Sequence, residues 1–484
     1  TRFDDVVDSS WYRHRNPRDS LTPAEVARGP VSSRPDPAEG ITVVDAKTQG
    51  VTPGLTVEDS RGRRYILKFD PADRLHLATS AEVIASRLYW AAGYHVPETT
   101  LATFRPGDLL ISDEARVRGP DGERPMNRED LEELLALTRP LPDGRYLAVF
   151  SRFVEGTPKG PWRFYGTREG DANDYYPHQH RRELRGLFVV SAWLNNVDTR
   201  WANTLASYVE PGYLRHYLID MGSSLGSGSV RSHSPRDGSE YQVDVWASVK
   251  RLLTFGVYRQ GWETAEWAPI HPSVGWMRVQ GFRPGEWKPN WPNAAYHAMT
   301  PADGYWGARL VGSFSDAQIR AAVEAGRLPT EAATDTLVDI LRHRRDRVVE
   351  HWYGQVTPVE DPEVEASPVP GGELRISFRD LGLEDGPWRA EETTYRWRFV
   401  HQGPGIEREG ETTGRSGRRQ SVAVPLDENR GSGGLANAGG TSGEDALARL
   451  ELRAVRPGTA GRRAVVWLTW HGPERGYRVS GLRH

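Results

Sequence analysis

The chain has 484 residues and contains no cysteine. Disulfide bonds, thiolate catalysis and cysteine-ligated metals are therefore excluded. A chain without thiols tolerates both oxidising and reducing surroundings, so this absence does not select a compartment. The first residue is Thr1 rather than methionine, which fits removal of a secretory leader. On this basis we expect a periplasmic or cell-surface location rather than a cytoplasmic one.

Long runs of one residue class are also missing. No stretch approaches the roughly 18 apolar residues of a membrane span. Lysine and arginine form no run that could follow a nucleic-acid backbone, and the formal net charge is −3, so nucleic acid is not an expected partner. Aromatic residues are plentiful, with 17 Trp, 18 Tyr and 12 Phe, which is enough for packed cores. The length predicts about two to four domains.

Composition separates an N-terminal arm, a long central part and a C-terminal part. Residues 1–39 are rich in Pro, Asp, Ser and Arg and predict an extended arm with a short helix at Pro23–Arg28, anchored by Trp11 and Tyr12. Residues 40–160 and 161–355 mix strand and helix patterns. Residues 370–484 alternate strand runs with Gly-rich loops, which predicts a β-sandwich of the immunoglobulin or fibronectin kind. Its strands are expected at 374–378, 394–400, 421–424, 447–455 and 464–470.

The two central parts give clear local patterns. Short β-branched runs joined by tight turns predict an antiparallel meander of three strands. Amphipathic spacing predicts several helices, the first of which would be capped by Ser80. Residues 226–310 show few regular signals. The predicted strands are 41–44, 55–58, 64–69, 147–154, 204–208 and 213–219, and the predicted helices are 78–92, 126–138, 181–194, 315–326 and 330–353.

Five polar residues follow one another on suitable elements. Lys68 ends the third strand, and Glu82 lies near the start of the helix after it. Asp198 and Asn203 share a loop, and Asp220 ends a later strand. Each residue alone is typical of a solvated surface. In this order they supply what phosphoryl transfer from a nucleotide needs: a cation for phosphates, a carboxylate for the acceptor hydroxyl, and oxygen ligands for a metal.

The segments around these residues resemble the atypical protein kinases. They are Tyr65-Ile-Leu-Lys-Phe, Ala81-Glu82-Val-Ile-Ala-Ser-Arg-Leu with the following Ala92-Gly93-Tyr-His-Val96-Pro97-Glu98, Asn195-Asn-Val-Asp198-Thr-Arg-Trp-Ala-Asn203 and Asp220-Met-Gly222. They are most similar to HipA-like toxin kinases and the phosphatidylinositol-kinase-like group, and also look like secreted spore-coat-type kinases. The resemblance covers about residues 41 to 350. It implies an α+β, two-lobed, protein-kinase-like fold, with residues 40–160 as the N-lobe and 161–355 as the C-lobe.

The resemblance also implies a role for each of the five residues. Lys68 would bind the α- and β-phosphates of ATP and would be held by Glu82. Asp198 would orient and deprotonate the acceptor hydroxyl. Asn203 and Asp220 would hold Mg²⁺.

Further positions would surround the nucleotide. The turn from Gly50 to Gly54 would lie over the phosphates. The strand end that carries Phe153 would face the adenine. Arg200 would offset charge on the transferring phosphoryl group.

Several positions depart from the kinase pattern. The glycine turn is Gly50-Val-Thr-Pro53-Gly54, stiffened by its proline. Asn196-Val197 stands where His-Arg is usual, and Met221 replaces a phenylalanine. Atypical kinases carry such changes, and so do inactive pseudokinases.

Three functions therefore stay open. The first is a kinase that transfers phosphate from Mg-ATP to a protein or small-molecule hydroxyl. The second is a weak or inactive pseudokinase that acts as a scaffold in a larger, exported assembly. The third is nucleotidyl transfer by the same fold.

Two other features were considered as sites. His178 and His180 could bind a metal, but without a third ligand an exposed loop is the better interpretation. The Trp-rich stretch could form a binding shelf for carbohydrate or peptide, although packing of a loop-rich region is favoured. Protein partners, if present, would use this stretch or the β-sandwich. The tryptophans concerned are Trp262, Trp267, Trp276, Trp287, Trp291 and Trp306.

Overall fold

The computed structural model describes residues 5–47, 54–119, 122–255, 257–263, 271–366, 372–426, 447–472 and 475–484. Its helices are α1 (Asn16–Asp19), α2 (Pro23–Arg28), α3 (Ala78–Ala92), α4 (Arg128–Ala136), α5 (Arg182–Leu194), α6 (Val245–Leu253), α7 (Ala294–His297), α8 (Pro301–Gly312), α9 (Asp316–Ala325), α10 (Glu331–Tyr353) and α11 (Leu381–Glu384). The helices predicted from the sequence are confirmed to within about two residues at each end.

The strands follow the same numbering. They are β1 (Ile41–Lys47), β2 (Gly54–Asp59), β3 (Arg64–Lys68), β4 (Thr99–Phe104), β5 (Leu109–Gly119), β6 (Gly122–Pro125), β7 (Tyr146–Arg152), β8 (Thr157–Pro158), β9 (Thr204–Val209), β10 (Tyr213–Leu218), β11 (Val359–Ala366), β12 (Glu373–Asp380), β13 (Thr394–His401), β14 (Ile406–Thr413), β15 (Arg419–Pro425), β16 (Leu447–Arg456), β17 (Thr459–Ala460), β18 (Ala464–Trp470) and β19 (Tyr477–Arg483).

The chain forms two compact units. The larger unit consists of Asp8–Ala298 and Ser313–Arg345. The smaller unit consists of Thr1–Val7, Met299–Gly312 and Asp346–His484. Of the residues that the structure describes, none belongs to a helix long and apolar enough to cross a lipid bilayer.

A seven-stranded sheet is the β part of the larger unit, with the order β4-β7-β3-β2-β1-β5-β6. Strands β1, β2 and β3 form the predicted antiparallel meander. Alternating residues of β2 face the core, so that Leu55 and Val57 are buried. Strand β5 pairs parallel with β1 and was not predicted, because many of its side chains are exposed and polar.

Helix α3 is capped from outside its own sequence. The buried carboxylate of Asp70 accepts hydrogen bonds from the backbone N–H groups of Ala78 (2.7 Å) and Thr79 (3.0 Å). The prediction that Ser80 caps this helix is wrong, because Leu77 occupies the N-cap position and Ser80 lies inside the first turn. The Ser80 hydroxyl donates to the carbonyl of Gly326 instead, at 2.7 Å.

The N-terminal arm packs along helix α3. Trp11 and Tyr12 are buried, which confirms the predicted aromatic anchor. Arg15 donates to the carbonyls of Trp90 and Tyr94 near the end of α3. In the middle of the helix, Arg87 Nε donates to the carbonyl of Ala27 at 2.8 Å. The arm therefore holds the middle and the C-terminal end of α3.

The helical part of the larger unit is built around α5. This helix buries nearly its whole surface and ends at Asn195, which adopts the left-handed conformation with φ 50°. Trp193 Nε1 donates to the carbonyl of Leu341 on α10 at 2.9 Å. The chain then enters the hairpin β9–β10, whose strands pair from Thr204–Leu218 to Val209–Tyr213.

The smaller unit contains two antiparallel sheets. Strands β11, β12 and β15 form one sheet, and β13, β14, β16, β18 and β19 form the other, with β17 beside β16. Apolar side chains of both sheets, among them Phe378, Tyr395 and Leu450, form one core, as in a β-sandwich. Its first strand begins at Val359, ahead of the predicted start at residue 370, because the Pro- and Glu-rich run 358–366 conceals the strand.

Helix α8, also in the smaller unit, was missed by the sequence analysis. Its glycines weaken the helical pattern. Gly304 is required there, because a Cβ atom would lie 2.1 Å from Cε3 of Trp352. Packing against a large side chain thus outweighs helix propensity.

We predict that Asp70→Ala destabilises the larger unit by about 1–3 kcal/mol, because it leaves buried N–H groups at the start of α3 without an acceptor. Urea unfolding followed by the helical circular-dichroism signal measures the effect. Asp73→Ala is the matched control, since the Asp73 side chain is 75% exposed. Its effect should stay within about 0.5 kcal/mol. Equal stability of the two variants would contradict the capping role.

Candidate functional site

Lys68 and Glu82 form an ion pair inside the larger unit. Lys68 ends β3, and Glu82 lies in the second turn of α3. The Lys68 ammonium lies 3.0 Å from Glu82 Oε1 and 2.9 Å from Oε2. The Glu82 side chain is 5% exposed and that of Lys68 is 22% exposed. A buried carboxylate of this kind needs a charged partner, and Lys68 supplies it.

Asp220 brings a second carboxylate to the same ammonium. Its Oδ1 lies 2.9 Å from Lys68 Nζ, and the Asp220 side chain is 50% exposed. Asp220 follows strand β10 and has φ 60°, a left-handed conformation that few residues other than glycine adopt. This turn directs the carboxylate to Lys68 while leaving half of it open to solvent.

Asp198 and Asn203 lie on the loop between α5 and β9. Asn203 Nδ2 donates to the Asp198 carbonyl at 2.8 Å, which closes the loop. The N–H of Ile219 donates to the Asn203 carbonyl at 3.0 Å, which joins the loop to the residue before Asp220. Arg200 Nε lies 3.1 Å from Asp198 Oδ1. The backbone thus places all of these residues in one region.

Burial and charge shift the pKa values of three groups of the site. Burial raises the pKa of Glu82, and Lys68 opposes this rise. Burial lowers the pKa of Lys68, but the carboxylates of Glu82 and Asp220 outweigh burial and hold it above its ordinary value. Lys68 is therefore cationic at neutral pH. Burial raises the pKa of Asp198, and Asp220 adds to the rise, whereas Arg200 and Asn203 oppose it. An aspartate with a raised pKa accepts a proton more readily than an ordinary one.

A buried polar network under the site was missed by the sequence analysis. Asn196 Nδ2 donates to the hydroxyl of Tyr89 at 3.2 Å and lies 3.6 Å from the sulfur of Met221. Tyr89 also lies 3.0 Å from the hydroxyl of Ser191. The network joins α3, which carries Glu82, to the Asp198 loop and the Asp220 turn. Tyr89 lies seven residues after Glu82, which places both on the same face of α3. This spacing was the sequence pattern that could have pointed to the network.

The other residues that were predicted to surround the nucleotide lie in separate parts of the larger unit or outside the described residues. Gly50 lies outside the described residues. Gly54 begins β2 and pairs with Lys68 in the ladder. Phe153 follows β7, and its side chain is 43% exposed. Its N–H donates to the carbonyl of Arg64 at 2.9 Å, which holds the chain beside β3.

The histidine pair departs from its prediction. His180 is exposed as expected, but His178 is buried. Nε2 of His178 lies 2.7 Å from Asp174 Oδ2, and its Nδ1 lies 2.5 Å from the carbonyl of Arg163. The exposed-loop interpretation is therefore wrong for His178, whose ring is buried between the carboxylate of Asp174 and the backbone carbonyl of Arg163.

Most of the described tryptophans of the Trp-rich stretch pack inside their units. Trp276, Trp287 and Trp306 are buried, which confirms the packing interpretation for them. Trp291 is exposed, and Trp267 lies outside the described residues.

The donor set fits a hard divalent cation. Asp220 offers a half-exposed carboxylate, and Asn203 donates through its amide nitrogen, which leaves its amide oxygen free to act as a ligand. In the described part of the chain, no group of three or more His, Cys, Asp or Glu residues could hold a metal by itself. Mg²⁺ does not need one, because it binds through one or two protein oxygens together with phosphates and water.

Comparisons with known proteins give no family assignment. No family model matches the chain, and no curated protein matches it. Among solved structures, the Helicobacter pylori proinflammatory kinase CtkA is 12% identical, covers 64% of this chain and 97% of its own, and has a TM-score of 0.34. The Golgi casein kinase is 10% identical, with 67% and 75% covered and a TM-score of 0.28.

A third structure, the twitchin kinase region of C. elegans, is 11% identical, covers 91% of this chain and 75% of its own, and has a TM-score of 0.26. All three TM-scores lie below 0.5, so we draw no conclusion about this chain from these likenesses.

We predict that Glu82→Gln lowers the pKa of Lys68, because it removes one of the two carboxylates that raise it. More of the amine is then neutral at any pH below the wild-type pKa. Acetylation of Lys68 by acetic anhydride should accelerate about tenfold for each pKa unit lost. Quantitative peptide mapping measures this rate, with the exposed Lys159 as the internal reference.

The matched control for this measurement is Glu58→Gln. Glu58 is on the neighbouring strand β2 and pairs with Arg64 rather than with Lys68. Its substitution should leave the Lys68 rate unchanged. An unchanged or slower rate in Glu82→Gln would show that Glu82 does not hold the Lys68 charge.

Proposed function

We propose that the larger unit is a two-lobed, protein-kinase-like domain that transfers a phosphoryl group from Mg-ATP to a hydroxyl of a protein or small molecule. The observation that carries this proposal is the position of the Lys68 ammonium, 2.9 Å from both Glu82 and Asp220. A cation fixed between a buried and a half-exposed carboxylate is arranged to meet phosphate oxygens beside a metal ligand.

The architecture supports two lobes. The seven-stranded sheet and α3 supply Lys68 and Glu82. The part built on α5 and the β9–β10 hairpin supplies Asp198, Asn203 and Asp220. The site therefore takes its residues from both parts of the larger unit.

Each side chain then has a distinct task. When bound, Mg-ATP supplies the phosphoryl group and the cation that neutralises its charge. Lys68 would hold the α- and β-phosphates, and Glu82 would keep its ammonium in place. Asn203 and Asp220 would bind the metal through their side-chain oxygens.

Asp198 is the proposed base. Its raised pKa suits a carboxylate that takes the proton from the acceptor hydroxyl as the oxygen of that hydroxyl attacks. Arg200 lies beside the Asp198 carboxylate, so it orients this group and brings a positive charge to the place where phosphate oxygens would gather.

The second candidate is a pseudokinase that binds a partner within a larger, exported assembly without transferring phosphate. One contact favours this candidate. The Lys68 ammonium already pairs with Oδ1 of Asp220, the carboxylate that would have to bind the metal. In this case the Lys68–Glu82–Asp220 cluster would stabilise the fold alone.

The two candidates separate in a transfer assay. With γ-labelled ATP and Mg²⁺, the wild type should label itself or a generic protein acceptor. Asp198→Asn should reduce the rate by at least about 10²-fold, because the base is lost while the shape is kept. Asp113→Asn, at an exposed aspartate on β5, is the matched control and should retain the full rate.

Circular dichroism should show that all three proteins are folded. Labelling in the wild type that Asp198→Asn does not reduce would contradict the assigned base. Absence of labelling in the wild type, with any acceptor tried, would favour the pseudokinase.

A further inference from the structure

A partly open cavity lies in the larger unit, beside the C-terminal end of helix α5. Its volume is about 510 Å³, which is within the usual size of a small-ligand site. The residues that define its chemistry are Asn195, Trp262, Arg278, Phe282, Trp287 and Arg344. The described lining does not include any of the five residues of the site described above, Lys68, Glu82, Asp198, Asn203 and Asp220.

Arg344 is the central group of this cavity, and it is 1% exposed. Its guanidinium donates to three backbone carbonyls, those of Trp193 (2.9 Å), Ala192 (2.5 Å) and Arg278. A guanidinium has five N–H groups. Within the described residues, two of the five therefore lack a protein acceptor.

The charge of Arg344 is only partly compensated. Ala192 and Trp193 belong to the last turn of α5, whose dipole offers about half a negative charge. In the part of the chain that the structure describes, no carboxylate lies within ion-pairing distance of Arg344 or of Arg278. Burial, together with Arg278, lowers the pKa of Arg344 to about 9. Arg278 and Arg344 thus face the cavity without a carboxylate partner among the described residues.

The acidic side chains of the cavity are already engaged. Glu286 lies 3.1 Å from Arg283. Asp237 accepts hydrogen bonds from both the N–H and the hydroxyl of Ser234, each at 2.8 Å. Among the described lining residues, the three arginines Arg278, Arg283 and Arg344 outnumber the two carboxylates of Asp237 and Glu286, which leaves one net positive charge.

Aromatic rings form fixed walls around these cations. The guanidinium carbon of Arg344 lies 3.6 Å from the centre of the Phe282 ring. Trp287 Nε1 donates to Asn195 Oδ1 at 2.9 Å, and Trp262 Nε1 donates to Glu240 Oε2 at 2.8 Å. Rings held in this way offer flat apolar surfaces beside the charge.

We propose that this cavity binds a small organic anion, a carboxylate or phosphate monoester carried on a planar ring. The anion would accept hydrogen bonds from the two remaining N–H groups of Arg344 and would form an ion pair with Arg278. The ring would pack against Phe282 and the tryptophans. This site is separate from the Lys68 site, and its existence does not depend on phosphoryl transfer.

The test measures binding of benzoate and phenyl phosphate by isothermal titration calorimetry. Benzamide, the uncharged analogue of benzoate, is the ligand control. We expect saturable binding of at least one anion and at least about tenfold weaker binding of benzamide, because only the anions pair with the guanidinium groups. The anion that binds more tightly shows whether the site prefers a carboxylate or a phosphate headgroup.

Variants locate the binding. Arg344→Met could fail to fold, so the test uses Arg278→Gln, which should weaken anion binding at least about tenfold. Arg347→Gln is the matched control, because its side chain is 59% exposed and lies outside the cavity lining, and it should change affinity less than about twofold.

Three results would overturn the proposal. The first is no saturable binding of either anion at millimolar concentration. The second is equal binding of benzamide and benzoate. The third is an affinity that Arg278→Gln leaves unchanged.

Discussion

The larger unit is organised around the ion pair between Lys68 and Glu82. Glu82 is almost fully buried, and a buried carboxylate without a cation would cost several kcal/mol. The pair therefore forms only if helix α3 and strand β3 keep a fixed distance. Asp70 fixes the start of α3, Gly326 accepts from its first turn, and the N-terminal arm holds its later turns. Much of the molecule thus serves to position one carboxylate.

The same ammonium links the sheet to the turn after β10 through Asp220. Because the backbone joins Ile219 to Asn203, a shift of the Asp220 turn would also move the Asp198 loop. The buried contact of Asn196 with Tyr89 and Met221 supports both segments from below. The electrostatics of the site follow from this arrangement: Lys68 stays cationic, while the partly buried Asp198 becomes a better proton acceptor.

Local patterns predicted the helices α2, α3, α4, α5, α9 and α10 and the meander, because periodicity reports directly on these features. Residue order singled out five polar residues that the fold brings into one region, and their roles stay a prediction. Local patterns did not reveal that Asp70 rather than Ser80 caps α3, since the carboxylate reaches the helix from a preceding loop. Strand β11 and helix α8 were not predicted. Proline and glutamate in β11 and glycine in α8 weaken the sequence patterns of elements that tertiary packing stabilises. His178 was predicted to be exposed, because its partner Asp174 can be recognised only in the folded chain. The cavity at Arg344 brings together residues from distant segments and has no sequence signature.

The central claim is that Lys68, Asn203 and Asp220 bind a metal-nucleotide. Thermal unfolding with Mg-ATP, with ATP and a chelator, and with Mg²⁺ alone tests it most directly. At 100 times its dissociation constant a ligand adds about 2.7 kcal/mol to the unit that binds it, a rise of a few degrees. We expect this rise only with Mg-ATP and only when Asp220 is intact, so that Asp220→Asn abolishes it. No rise at millimolar Mg-ATP, or an equal rise in Asp220→Asn, would contradict the claim.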